Sequence, residues 1–504
     1  MAELSSYDSV PYLSQPFSFT HPRRLHTLGV LFGLEPAAPE SCRILELGCA
    51  AAVNLCGIAA TLPGAELIGV DLSATELAEG RELVEQLGLM NVSLKQLDIA
   101  ELGGDLGTFD YIICHGLFSW IDSGLQTKVL SLCRSQLRPN GIAYISYNTL
   151  PGWYQRQMIR DMLLYHAEQF DEPEMFVAQA RAMAELFSRA LKNNNAPLSE
   201  YFKNSLKQIE SQPDWYLRHD ILEEINEPMY FHRFASLATS AGLQYLADSE
   251  LTKMVDYSFP DDVRQALRGI ADDVIRFEQY LDFLWNRSFR RSLVCHREPV
   301  LSRERAPERM SRCFLRSNLQ RVGSGEGEGV VRFANESGGF LETNDPFALF
   351  ALDRMRSVFP KSVLFDELFD EALKELSTSL GLSPQAAVVE KTHLGRTIWN
   401  LATRGLVEVQ TSEWPFVAAV TERPQAYSLA RTQALTGLDV TTARHEVIEL
   451  DERSAKLLSL LDGKTSVPEV AARLGELGSV SETKTAEWVR ETLQRFAGEA
   501  LLVG

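Results

Sequence analysis

Long apolar runs are missing from this chain. Nowhere do 18 apolar residues follow one another, and the opening MAELSSYDSV has neither a basic stretch nor an apolar one. Neither a membrane-spanning helix nor a cleaved secretory leader is therefore expected. Cysteine is sparse: seven residues, at 42, 49, 56, 114, 133, 295 and 313, with no CxxC pair. An odd number without metal-ligand spacing argues against a zinc site or a disulfide framework, and points to reduced thiols in a cytoplasm. Positive charge is in deficit, with 49 Lys and Arg against 68 Asp and Glu, a net −19. A nucleic-acid protein draws its affinity from neutralising phosphates, so that class is set aside, and solubility is the plain reading of the charge.

Glycine is short where a cofactor loop normally has it. The stretch ILELGCAAAVNL (44–55) is an apolar strand that meets Gly48 and then Ala50, Ala51, Ala52 and Val53. A dinucleotide loop needs G-x-G-x-x-G so that its backbone can approach a pyrophosphate. Only E-x-G, Glu46 to Gly48, is kept here.

What is present is an alternating pattern. At 504 residues the chain is too long for one core, so two or three domains are expected. Between 43 and 147, apolar β-rich segments (43–47, 66–71, 92–96, 111–114 and 142–147) alternate with amphipathic helices. One helix opens on a capping box, Ser73 with Glu76, and closes at Gly88. Strands buried on both faces and joined by helices make a parallel, doubly wound α/β sheet. Residues 153–212 turn to helical periodicity, and 229–251 add a helix and a strand that complete the sheet. An arginine-dense, lysine-free stretch at 285–321 reads as a solvated, salt-bridged face. The segment VGSGEGEGVV (322–331) reads as a flexible linker, followed by a hairpin around SGG. The acidic tail twice repeats helix, turn, helix and short apolar strand, the pattern of tandem winged helices. The expected domains are a core over 1–260 with its helical insertion, a middle segment and linker over 261–330, and a winged-helix-like domain over 331–504.

Asp71 ends the second strand, where a carboxylate can accept from both ribose hydroxyls of an adenosine. Asp98 follows the third strand, where an exocyclic adenine amine would lie. The start of the helix near Ala52 offers free N–H groups and a positive dipole end to a carboxylate. S-adenosylmethionine (AdoMet) has a ribose, an adenine and a zwitterionic tail but no phosphate, so it fits this loop better than a dinucleotide. The candidate cofactor residues are Glu46, Gly48, Asn54, Asp71, Leu72, Asp98, Ile99 and His115, with no metal. Gly48 alone is expected to supply the unusual backbone conformation, leaving Ala52 and Val53 with ordinary φ to open the helix.

Beyond these residues the chain resembles the bacterial class I methyltransferases that carry a methyltransferase regulatory domain, among them the rickettsial protein-lysine methyltransferases of outer-membrane protein. The resemblance rests on 7–34, ILELGCAAAVNL, FDYIICHGLFSWI (109–121), ISYNTLPGW (145–153), NEPMYFHRF (226–234) and NRSFRRSLVCH (286–296). It implies an AdoMet-dependent core, a middle segment, a winged-helix-like tail, and protein lysine as one substrate class. It also implies that Tyr12, Thr20 and His21 fold over the cofactor as a lid.

A lysine acceptor must lose a proton before it can attack, which at pH 7 costs about 4 to 5 kcal/mol from a free pKa near 10.4. An aromatic, desolvating pocket with a hydrogen-bond acceptor would offset part of this. Tyr147, His115 and Trp120 are the residues expected to supply it. N-methylation of a protein or peptide is the first reading. A small molecule or biosynthetic peptide as acceptor is the second, and a catalytically weak AdoMet-binding adaptor is the third. A homodimer is compatible with all three. The tail is expected to select the acceptor and to take no part in binding AdoMet.

Overall fold

The computed structural model describes residues 14–170, 172–303, 307–336, 338–476 and 482–504. Its centre is a seven-stranded sheet: β1 (Arg43–Leu47), β2 (Glu66–Asp71), β3 (Val92–Gln96), β4 (Phe109–Cys114), β5 (Leu137–Asn148), β6 (Leu243–Asp248) and β7 (Phe289–His296). The order is β3-β2-β1-β4-β5-β7-β6. The first five strands run parallel, and β7 is antiparallel to both β5 and β6. The expected doubly wound α/β core is therefore present, with its first three strands at the expected residues.

Alternation along the strands sends successive side chains to opposite faces. Ile44, Tyr111, Ile142 and Tyr144 pack with α1 (Pro22–Leu31) and α2 (Val53–Thr61). Leu45, Leu47, Ile112 and Tyr147 pack on the other face with α4 (Ser123–Gln136). Between them in sequence, α3 (Ala74–Leu87) begins with the Ser73 side chain accepting from the Glu76 N–H and stops at Gly88, as the capping box implies. The insertion consists of α5 (Trp153–Ala167), α6 (Pro173–Leu191) and α7 (Pro197–Glu210), which share a core of their own.

Two expectations about the middle of the chain are corrected. The arginine-rich stretch is not only a solvated face, because β7 lies within it and carries the fully buried Arg290. Its guanidinium pairs with Glu278 and Asp282, and Arg287 beside it pairs with the buried Asp248. The charge is neutralised inside the fold, which allows an arginine-rich segment to serve as an interior strand. The glycine-rich segment 322–331 is not a free linker: β9 (Gln320–Ser324) and β10 (Val331–Ala334) pair across it. Next, β10 pairs with β11 (Phe340–Thr343), the hairpin expected around SGG.

The tail holds two helical units. Helices at Pro346–Val358, Phe365–Leu380 and Pro384–Thr403 surround a small sheet whose middle strand, β8 (Phe314–Arg316), precedes β9 in sequence. The second unit has helices at Glu452–Ser459, Val467–Glu476 and Glu482–Gly498 and two short strand pairs. It docks on the core: the Tyr427 hydroxyl donates to Gly57 O in α2 at 2.8 Å. Upstream of it, Thr411 and Ser412 bond to the α1 residues His26, Thr27 and Arg23. All seven cysteines are buried and unbridged. Among the described residues, no helix is long and apolar enough to cross a membrane.

Candidate active site

The carboxyl ends of β1 to β4 open on a crevice of about 290 Å³. Its floor is the loop between β1 and α2. Three residues there are left-handed: Gly48 at φ +70°, Ala50 at +45° and Ala52 at +55°. The expectation that Gly48 alone carries the unusual conformation is thus corrected, although Val53 does open the helix in ordinary conformation. The reversal from strand to helix is sharp enough that Gly48 and Cys49 both donate to Val70 O, while Ala52 donates to Cys49 O. Left-handed alanines cost roughly 1–2 kcal/mol each, and strain of this kind persists where surrounding contacts over-determine it.

Asp71 is one such contact. Its Oδ2 accepts from Ala50 N at 2.8 Å and its Oδ1 from Ser73 N at 2.9 Å. Glu46 is buried beneath the loop, where its Oε1 accepts from Asn54 Nδ2 at 2.7 Å while its Oε2 has no partner. Burial, with Asp71 nearby, pushes its carboxyl up to about 8 against the opposing pull of Asn54. An orphaned carboxylate oxygen here suits an ammonium group, and the carboxylates of Asp71 and Asp98 suit a ribose and an amine. Nothing in this donor set is cationic, which disfavours a phosphate. The residues present fit AdoMet.

The structure brings Glu46, Gly48, Asn54, Asp71, Leu72, Asp98, Ile99, His115 and Trp120 together around this crevice. From the N-terminal segment Ser14, Gln15 and Phe17 join them, so this segment does cover the crevice. The expected lid residues stand elsewhere. Thr20 and His21 are fully buried behind the wall, Thr20 against Phe17 O and Asn54, and His21 against Thr61. Tyr12 lies outside the described residues.

Tyr147 is also corrected. It is buried among core side chains, stacked on Phe234 at 4.3 Å, and its hydroxyl meets Ser292 Oγ. The strand's alternation points it to the α4 face, away from the crevice. Tyr144, on the opposite face, bonds His115 Nδ1 at 2.8 Å. The imidazole of His115 lies 3.8 Å from the Phe17 ring. Burial, then the nearby Arg291, pulls its pKa down to about 3, so it is a neutral hydrogen-bonding wall and a poor base. Trp120 meets Trp153 edge-on at 6.2 Å.

Among the lining residues that escaped the sequence reading, besides Phe17, two come from far along the chain. His219 and Asp220 reach the crevice from the segment after the helical insertion. Asp220 Oδ2 is buried without a partner, and burial pushes its carboxyl up to about 6 against His219 and Arg156. No local motif marks them: they sit far along the chain, in a π-helical turn at Leu217–Ile221.

Comparison with known proteins agrees with this geometry. Family models match as a methyltransferase domain over 39–215, a methyltransferase regulatory domain over 213–296, and a PKMT C-terminal winged helix domain over 422–487. The regulatory match contains β6 and β7, so that segment completes the catalytic sheet. Uncharacterized protein RP789 of Rickettsia prowazekii is 42% identical over 60% of this chain and 55% of its own length. RP028 of the same organism is 41% identical over 46% of this chain and 93% of its own length. The chain thus spans little more than half of the first relative and nearly all of the second. The structure of PKMT2 from Rickettsia typhi, also solved in complex with AdoHcy, superposes with a TM-score of 0.85 at 28% identity, over 98% of this chain and 100% of that one. A seven-stranded sheet, a crevice whose residues fit AdoMet and these matches converge: the chain belongs to the class I AdoMet-dependent methyltransferases that carry a regulatory segment and a PKMT-type winged helix.

Proposed function

We propose that the protein N-methylates lysine side chains of a protein or peptide. The supporting observation is the likeness to PKMT2, which runs through 98% of the chain and so includes the tail as well as the cofactor fold. The free, buried thiols suit a cytoplasmic setting.

In this reading Glu46 holds the ammonium of the methionyl tail, Asp71 the ribose hydroxyls and Asp98 the adenine amine. When bound, AdoMet supplies an electrophilic sulfonium methyl. The chain's own residues have two tasks, alignment and proton removal. Phe17, His115 and Trp120 exclude water and hold the acceptor in line, where positioning carries much of the rate. Asp220, with its carboxyl pushed up to about 6, is the crevice group suited to hold the acceptor ammonium and take its proton. His115 stays neutral and orients.

The test is to incubate the full chain with labelled AdoMet and a bacterial lysate, and to separate protein from extracted metabolites. Label on protein lysine supports the proposal. Label confined to metabolites assigns a small acceptor, and no label in either fraction with bound AdoMet assigns an adaptor.

A further inference from the structure

The second unit of the tail reaches α2 at Tyr427 and, nearer the cofactor crevice, at His445. His445 lies in the tight turn between the strands Asp439–Thr441 and Val447–Glu449, at φ +62° and fully buried. Its Nε2 lies 2.8 Å from Asn54 Oδ1, across 391 positions of sequence. The direction of that bond follows from the neighbours. Phe17 N–H, a donor only, also reaches Asn54 Oδ1 at 2.9 Å, so this atom is the carbonyl oxygen. His445 therefore donates from Nε2, and its Nδ1 has no partner. Burial holds the ring neutral, with its pKa pulled down to about 3, so the bond does not depend on pH near neutrality. Thr20 Oγ1 lies within reach of both Phe17 O at 2.8 Å and Asn54 Oδ1 at 3.1 Å and has one proton for the two. Asn54 Oδ1 thus takes a full donor from Phe17 in the crevice cover and another from His445 in the tail, with the Thr20 hydroxyl beside them.

What Asn54 does with its other end makes this consequential. Its Nδ2 donates to Glu46 Oε1, which leaves Oε2 free for the ammonium. The amide must hold its orientation for this, since a rotated side chain would set a carbonyl oxygen against the Glu46 carboxylate. The fit around His445 is tight as well: a Cβ at Gly57, one turn after Asn54, would lie 2.7 Å from His445 Cε1. Left-handed Ala50 and Ala52 precede the same helix, so the loop needs external support.

We propose that His445 is a positioning residue of the AdoMet site, acting through Asn54 on Glu46 and on the Phe17 cover, so that the docked C-terminal winged helix strengthens cofactor binding. The inference rests on the AdoMet assignment and revises the expectation that the tail serves the acceptor alone.

The test uses the full chain, with AdoHcy as the calorimetric probe and KM measured separately for AdoMet and for the acceptor. His445→Leu removes the donor, and AdoHcy affinity should fall about tenfold. The KM for AdoMet should rise with it while the KM for acceptor stays put. His445→Gln keeps an N–H at the place of Nε2 and should recover most of the affinity. If His445→Leu does not fold, Gly57→Ala keeps the histidine but displaces its ring, and carries the same expectation. Wild-type affinity in a folded His445→Leu or Gly57→Ala overturns the proposal, as does a folded His445→Gln as weak as the leucine variant. A wild-type chain that binds no AdoHcy instead overturns the AdoMet assignment itself.

Discussion

Asp71 Oδ2 accepts the backbone N–H of Ala50 at 2.8 Å, so the carboxylate that ends β2 also fastens the strained loop that ends β1. One side chain thereby serves two purposes, ribose recognition and loop geometry. Asp71→Ala should weaken AdoHcy binding by about 2 kcal/mol, roughly thirty-fold. It should also lower the melting temperature of the ligand-free protein, because Ala50 N and Ser73 N lose their acceptor. Calorimetry and thermal unfolding read the two effects separately, and unchanged AdoHcy affinity would remove Asp71 from the site.

Glu46 makes cofactor binding proton-linked. Its pKa near 8 in the free protein has burial as its main cause, with Asp71 adding to it and Cys49 and Cys56 also facing it. At pH 7 the group is therefore mostly protonated. An ammonium beside Oε2 favours the ionised form, so binding lowers this pKa and expels a proton. Affinity should rise with pH toward about 8 as Glu46 ionises, then fall as the ligand's own ammonium loses its proton. Titrations at pH 7 in buffers of different ionisation enthalpy should give different apparent enthalpies. Identical enthalpies would place the ammonium elsewhere. For the ligand-free fold the sign is opposite: its raised pKa favours the folded state below about 4.5, and this contribution is lost as pH climbs through 8.

Left-handed alanines invite a substitution whose sign follows from exposure. Ala50→Gly relieves a penalty of about 1–2 kcal/mol, less the extra freedom glycine gives the unfolded chain, about 0.5–1 kcal/mol. Ala50 is only partly buried, so a small net gain in melting temperature is expected. Ala52 is fully buried, and losing its methyl costs about 0.8 kcal/mol, which should cancel the gain. A destabilised Ala50→Gly would mean that the loop is relaxed as built.

Asp220 and Tyr147 form a contrast. Asp220→Asn should cut kcat while sparing AdoHcy affinity, and should abolish an acid limb in the wild-type rate profile, which falls as pH drops through about 6. Tyr147→Phe loses only its bond to Ser292, so it should cost about 1 kcal/mol of stability and leave kcat unchanged. A Tyr147→Phe chain that is stable but inactive would restore Tyr147 to the chemistry.

The core was legible because β1, β2 and β3 are short β-rich runs bounded by turn residues, and because Asp71 and Asp98 stand at strand ends. The winged helix matched over 422–487 was legible from its helical periodicity and short terminal strand. Other features left no local trace. Alanine composition reveals what a left-handed step costs but not whether the chain takes it, so Ala50 and Ala52 were misjudged. Tyr147 and Tyr144 differ by three positions on one strand, and only the sheet's orientation tells which meets His115. Arginines concealed β7, since their charges are matched by Glu278, Asp282 and Asp248, which come from other segments. The bond from His445 to Asn54 joins two ends of the chain that no sequence pattern connects.

The late arrival of β7 has a consequence for synthesis. Strand β5 ends at Asn148, but the strand that pairs with its outer side begins at Phe289, with the whole helical insertion between them. At 5–20 residues per second, the ribosome takes on the order of ten seconds to deliver β7 after β5. Throughout that interval β5 presents a long unpaired edge, the kind that recruits strands from other chains. A fragment ending at 215, where the methyltransferase match stops, would retain that edge permanently. The smallest soluble piece of this enzyme should therefore extend through His296, and shorter pieces should be recovered from inclusion bodies.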